Sequence, residues 1–170
     1  MSTKHKSLIS SGPWGGPGGA PWDDKAYSGV KQIVIVSGAC IDSVRFEYSK
    51  KGRSVWSEKH GGNGGDSTYQ VVLDYPNEYL TAISGHHGSI SHGSPSVIRS
   101  LTFQTNRKKY GPYGVSQGTY FSFPTNGAKV KGFHGKSGWY LDSIGVHCAP
   151  ASQNTIWSTI KGSAKSILKA

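Results

Sequence analysis

The sequence predicts an all-β fold, on three observations. Runs rich in Val, Ile, Tyr, Phe and Thr alternate apolar and polar residues, the period of a half-buried strand. Glycine-rich turns separate these runs, and 24 of the 170 residues are glycine, about twice the ordinary share. Nothing between residues 20 and 150 carries the 3.6-residue apolar period of a helix. The length suits one domain with short tails, large enough to bury a core without a disulfide scaffold.

Taken in order, residues 1–10 are polar and basic without periodicity and predict a flexible arm. Strands are predicted over 30–37, 41–48, 54–58, 68–73, 79–84, 96–104, 119–123, 128–134 and 141–147, so that 11–150 form the folded domain. Residues 151–170 differ from the rest. Trp157, Ile160, Ala164, Ile167 and Leu168 recur at the spacing of one helix face, with Lys161, Lys165 and Lys169 along its edge. Gly162 interrupts this C-terminal extension at a cost of about 1 kcal/mol relative to Ala. Three readings stand for it: an amphipathic helix on an acidic membrane, an element packed on a partner subunit, or a loosely docked tail.

Two landmarks repeat along the domain. A glycine-rich turn after an aromatic or basic residue occurs as Trp14-GGPGG-Ala20 and His60-GGNGG-Asp66, and in degraded form from Gly111 to Gly118. A strand of fixed pattern occurs as Ile41-Asp-Ser-Val-Arg-Phe46, Ile98-Arg-Ser-Leu-Thr-Phe103 and Leu141-Asp-Ser-Ile-Gly-Val146. Three copies of each imply three similar sheets. Two copies place Gly-x-x-x-Asp before the strand, Gly38 to Asp42 and Gly138 to Asp142, while the middle copy has Pro95 and Arg99 there. The middle copy is therefore expected to be silent.

A carboxylate beside consecutive backbone amides in a glycine turn offers acceptors and donors together, which suits neighbouring sugar hydroxyls. Trp139 and Tyr140 add flat apolar faces for the C–H side of a pyranose.

The segments GPWGGPGG, RSLTFQTNRKKYGPYGVSQGTYFSFP (99–124) and GFHGKSGWYLDSIGV (132–146) together resemble the jacalin-related lectins over roughly residues 10–150. That resemblance implies a β-prism I of three four-stranded Greek-key sheets about a pseudo-threefold axis. It implies a primary sugar site at Gly19, Gly138, Trp139, Tyr140, Leu141 and Asp142, using the amides of Gly19, Trp139 and Tyr140 and the Asp142 carboxylate. The loop around His86 and His87 would form the neighbouring wall. Some family members carry a second site on another face, which would here fall at Gly65, Gly38 and Asp42, with Ala39 and Cys40 offering little polar contact. Mannose-preferring members keep an uncut chain where galactose-preferring members are cleaved, and the glycine turn here lies in a continuous segment. Mannose or glucose residues of glycans are the expected partners, bound multivalently through a homodimer or higher oligomer. The paired aromatics of Gly-Trp-Tyr-Leu-Asp, shared with galactose binders, keep a galactose-type lectin of the same fold as the alternative.

Other classes fare less well. Glycoside hydrolysis generally needs two carboxylates some 5 to 9 Å apart, and Asp142 has no acidic neighbour in sequence, so no enzyme activity is expected. His86, His87 and His92 lack acidic or cysteine partners at ligand spacing, and Cys40 and Cys148 form no Cys-x-x-Cys, so no metal or other cofactor is expected. Nineteen Lys and Arg against nine Asp and Glu give a net charge of +10. That charge permits a non-lectin module attached to anionic polymers or membranes, but no nucleic-acid fold signature accompanies it, and no specific nucleic-acid binding is expected. No apolar stretch of signal-peptide length follows the basic start, which predicts a cytoplasmic or nuclear protein with free thiols ahead of a vacuolar or secreted one, where Cys40 and Cys148 could form a bridge.

Overall fold

The computed structural model describes residues 7–150, all of whose regular structure is strand. Thirteen strands follow in order: β1 (Ile9–Gly15), β2 (Ala20–Asp23), β3 (Gly29–Ser37), β4 (Ile41–Lys50), β5 (Arg53–Trp56), β6 (His60–Gly61), β7 (Ser67–Val72), β8 (Leu80–Gly88), β9 (Val97–Thr105), β10 (Lys109–Gly114), β11 (Thr119–Pro124), β12 (Lys129–Ser137) and β13 (Leu141–Ala149). They build three antiparallel sheets with strand orders β1-β13-β12-β2, β5-β4-β3-β7 and β10-β9-β8-β11, with β6 also paired to β4. The first sheet takes two strands from each end of the chain, so the β1–β13 ladder closes the molecule.

These are the three sides of a prism, and its axis is where the repeated strand pattern points. Ile41, Ile98 and Leu141 form one fully buried layer, Val44, Leu101 and Ile144 the next, and Phe46, Phe103 and Val146 the third. Phe133 completes the third layer, its ring 4.0 Å from that of Phe46 and edge-on to Phe103 at 6.4 Å. Removing one of these rings should cost about 3–5 kcal/mol, transfer and cavity effects together.

The sides interlock through aromatic pairs at each corner, Trp14 also meeting Phe123 at 5.4 Å. Trp14 of β1 stacks on Phe121 of β11 at 5.6 Å, Tyr113 of β10 meets Tyr69 of β7 at 4.7 Å, and His60 of β6 stacks on Trp22 of β2 at 3.7 Å. The third corner is also tied by polar contacts: His60 Nε2 lies 2.7 Å from Asp24 Oδ1, and the Tyr48 hydroxyl donates to Asp24 Oδ2 at 2.6 Å.

Four strands lie outside the predicted set, β1, β2, β6 and β10. All are short or rich in Gly and Pro, and β1, β2 and β10 are edges of their sheets, where a missing amide is tolerated and no alternation is needed. Part of the expected arm is accordingly strand, since Ile9 and Ser10 pair with Cys148 and His147. Residues 1–6 of that arm and the whole extension 151–170 lie outside the described residues. The antiparallel registers sort the turns between the two ends of the prism: β1–β2, β3–β4, β6–β7, β8–β9 and β12–β13 gather at one end, and β4–β5, β9–β10 and β11–β12 at the other.

Candidate functional site

At the first of these ends two corners are built alike. In one, the β12–β13 turn is closed by the Gly138 amide donating to the Tyr140 carbonyl at 3.0 Å, and the Gly16 amide donates to the Asp142 carbonyl at 2.8 Å. In the other, the Gly38 amide donates to the Cys40 carbonyl at 3.0 Å and the Gly62 amide to the Asp42 carbonyl at 3.0 Å. The repeated Gly-x-x-x-Asp spacing thus becomes a repeated backbone geometry.

Each carboxylate sits in a cradle of glycine backbone. Gly19 has φ +78°, and a Cβ there would come within 2.5 Å of Asp142 Oδ2 and 2.6 Å of the Ser137 carbonyl carbon. Gly65 has φ +89°, and its Cβ would lie 2.8 Å from Asp42 Oδ2. Both positions require a residue without a side chain, for the backbone conformation and for the close approach alike.

Asp142 and Asp42 are 8% and 4% exposed. Burial raises the Asp142 carboxyl above its ordinary pKa, against the opposing Gly138 amide, its own amide and the Lys136 charge. Burial raises Asp42 as well, and the Asp66 charge adds to it. Asp42 Oδ2 has no hydrogen-bond partner, an acceptor held out of water with nothing on it.

A cavity of about 330 Å³ opens over Asp142, lined by Gly18, Gly19, Gly138, Trp139 and Tyr140 on one side and Ile90, Ser94, Pro95 and Val97 on the other. A second, of about 520 Å³, opens over Asp42 between Gly38, Ala39 and Cys40, Asn63 to Gly65, and again Ile90, Trp139 and Tyr140. The two cavities share a wall. Trp139, 85% exposed, stands on that wall with its ring open to solvent.

Most of the predicted site is therefore brought together. Gly19, Gly138, Trp139, Tyr140 and Asp142 meet in the first cavity, and Gly38, Gly65 and Asp42 in the second. Leu141 is the exception within the motif, because its side chain is fully buried in the prism core. The expected wall is also corrected. His86 and His87 belong to β8, where His86 Nδ1 lies 2.9 Å from Ser100 Oγ and His87 Nδ1 lies 3.1 Å from Ser96 Oγ, and neither lines a cavity over an Asp. The β8–β9 turn supplies the wall instead, through Ile90, Ser94 and Pro95. Its only sequence signal is the Ser-rich run 89–96, with Pro95 standing where the other corners have glycine.

The Arg99 corner keeps one of the two backbone bonds, has Pro95 without an amide for the other, and loses the acid. The Val115 amide donates to the Arg99 carbonyl at 2.9 Å, as at the other corners, but Arg99 replaces the acid. Its guanidinium donates to the Ala39 and Ser89 carbonyls, both at 2.9 Å, so it braces the Asp42 corner against the β8–β9 turn. Among the described residues no three His, Cys, Asp or Glu side chains are grouped so as to hold a metal ion. Cys40 and Cys148 are buried free thiols, Cys40 pushed up to about 12 by burial and the nearby Asp42.

The family model described as the Jacalin-like lectin domain matches residues 11–147. Over 141 residues the chain is 55% identical to Jacalin-related lectin 3 of Arabidopsis thaliana, covering 83% of this chain and 24% of that protein. Over 136 residues it is 53% identical to Jacalin-related lectin 19 of Arabidopsis thaliana, covering 80% of this chain and 77% of that protein. The chain thus spans about a quarter of the first relative and about three quarters of the second. A mannose-specific jacalin-related lectin from Morus nigra, solved in complex with mannose, superposes with a TM-score of 0.81 at 40% identity, over 88% of this chain and 99% of that one.

Proposed function

This chain belongs to the jacalin-like lectin family, and from that premise we propose that it binds mannose or glucose residues of glycans at the Asp142 corner. The observation that carries the reading is a buried, ionisable carboxylate held by glycine backbone in an open cavity that Gly19, Trp139 and Tyr140 also line. Two adjacent sugar hydroxyls donate to the Asp142 oxygens and accept from the amides, charge-assisted bonds worth more than neutral ones. The mannose named for the Morus nigra structure favours mannose over galactose, as does the uninterrupted Ser11–Ala20 segment.

Asp42 forms a second, weaker sugar site. Its unpartnered Oδ2 and the larger cavity above it support this reading, while Ala39 and Cys40 supply fewer polar contacts than Trp139 and Tyr140. A shallow site of this kind gives roughly millimolar dissociation constants, about 4 kcal/mol. Avidity comes from two sites on one chain and from association of copies, so sedimentation velocity should report a dimer or larger assembly.

Calorimetry with methyl mannoside and methyl galactoside tests the assignment. The mannoside should bind the wild type and lose its tighter phase in Asp142→Asn, which keeps the shape and removes the charge. Undiminished tight binding in that variant, or preference for the galactoside, would overturn it.

A further inference from the structure

The charge of this protein is sorted by end. At the sugar end Arg99 is committed to two carbonyls and Lys136 to the Pro17 carbonyl, alongside Asp42, Asp66 and Asp142. At the other end the acids are already engaged: Asp23 with Lys25 and His147, Glu47 with Lys31, Asp74 with Arg107, and Glu78 buried against Thr105 and Tyr110. What remains there is cationic. Lys50, Lys51 and Arg53 project from the β4–β5 turn, and Lys108 and Lys109 from the β9–β10 turn. Lys129 and Lys131 start β12, and none of these seven forms an ion pair among the described residues.

These cations make one continuous face. The Lys51 amide donates to Ser28 Oγ at 3.2 Å, and Lys131 Nζ donates to the Ser28 carbonyl. Lys129 Nζ lies 4.3 Å from the centre of the Tyr79 ring, and the Asn106 amide, two residues before Lys108, donates to the Tyr79 carbonyl at 3.1 Å. All three sides of the prism therefore contribute to it. Burial first, and the nearby Lys129 second, lower the Lys131 pKa.

We propose that this end of the prism docks on the anionic surface of a lipid bilayer, leaving the two carboxylate corners facing away from it. A face whose cations are spread over three sides of the prism matches a planar array of headgroups better than the groove of a duplex. The apolar neighbours point the same way: Leu8 and Ile9 at the start of β1 and Val72 at the end of β7 are exposed at this end, Val72 by 62%. Exposed aliphatic side chains among lysines suit the boundary between headgroups and acyl chains. Strand β13 also ends here, and the sequence beyond it carries Lys161, Lys165 and Lys169.

The test is sedimentation of the full chain with vesicles of phosphatidylcholine, with and without phosphatidylserine, which contain no sugar. Binding is expected only to the phosphatidylserine vesicles, and should collapse at high salt. Neutralising the β4–β5 turn as K50Q/K51Q/R53Q should weaken it roughly a hundredfold, and K108Q/K109Q about thirtyfold, since each surface cation contributes about a fivefold factor. Both variants should keep wild-type mannoside binding, which reports that they fold. The matched variant K161Q/K165Q/K169Q separates the face from the extension. Equal binding to both vesicle types, wild-type binding by K50Q/K51Q/R53Q, or capture by duplex DNA without capture by vesicles would each overturn the proposal.

Discussion

At the Asp142 corner and at the Asp42 corner the same pair of amide bonds closes the loop and the same glycine cradle holds the carboxylate, yet the surroundings diverge. Trp139 and Tyr140 flank Asp142, where Ala39 and Cys40 flank Asp42. Lys136 steadies the Asp142 charge, whereas Asp66 opposes that of Asp42. The difference teaches that the backbone of this fold supplies the same carboxylate-holding frame at both acid corners, and that the side chains around it set them apart. The Arg99 corner makes the same point from the opposite side, since it keeps one of the two amide bonds, has Pro95 in place of the turn-closing glycine amide, and has lost the acid.

The comparison breaks most sharply on removing the acids. Asp142→Ala should weaken mannoside binding at its corner at least a hundredfold, the loss of two charge-assisted hydrogen bonds at about 1.5–3 kcal/mol each, while Asp42→Ala should leave that corner at wild-type affinity and lower only the number of sites. Calorimetric stoichiometry reads both. Next in size is Gly19→Ala, whose Cβ would meet Asp142 Oδ2 at a left-handed φ. It should cost about 1–3 kcal/mol through strain, seen as a lower midpoint in thermal melting together with lost binding at the Asp142 corner alone.

Trp139→Ala sharpens the comparison differently, because its residue stands between the cavities. Both sites should weaken several-fold, by about 0.5–1.5 kcal/mol of lost contact with a flat ring, with unchanged melting because the side chain is exposed. Lowering the pH gives the gentlest contrast. An ionised carboxylate accepts from two hydroxyls and a protonated one does not, so affinity holds above each raised pKa and falls as pH drops through it. Burial raises both carboxyls, so both sites should weaken as the pH falls into the acid range, which titrations at a series of pH values would resolve.

Much of this was legible in the sequence for physical reasons. The Ile-x-x-Val-x-Phe pattern of the repeated strand is a demand for burial, and its three apolar positions became three layers of the core, each drawing one residue from every copy. The Gly-x-x-x-Asp spacing fixed both carboxylate corners. Edge strands β1, β2 and β10 were not legible, because an edge needs neither alternation nor every amide. The misplaced wall has a different cause. The family resemblance put the wall at the loop around His86 and His87, but their ring nitrogens face Ser100 and Ser96, and the cavity is walled by the turn that follows them and ends near Pro95. That contact joins two sides of the prism, and no local pattern encodes it. The sorting of charge by end is likewise a property of topology, since Lys50 and Lys129 are far apart in sequence.

Two corners share one frame and the third keeps part of it, and amide chemical shifts measured during titration with methyl mannoside observe all three at once. The amides of Gly19, Trp139 and Tyr140 should move first, those of Ala39, Cys40 and Gly65 at higher sugar concentration, and those of Arg99 and Val115 not at all. Shifts that appear first at the Arg99 corner, or that spare Gly19 and Tyr140, would contradict this ranking.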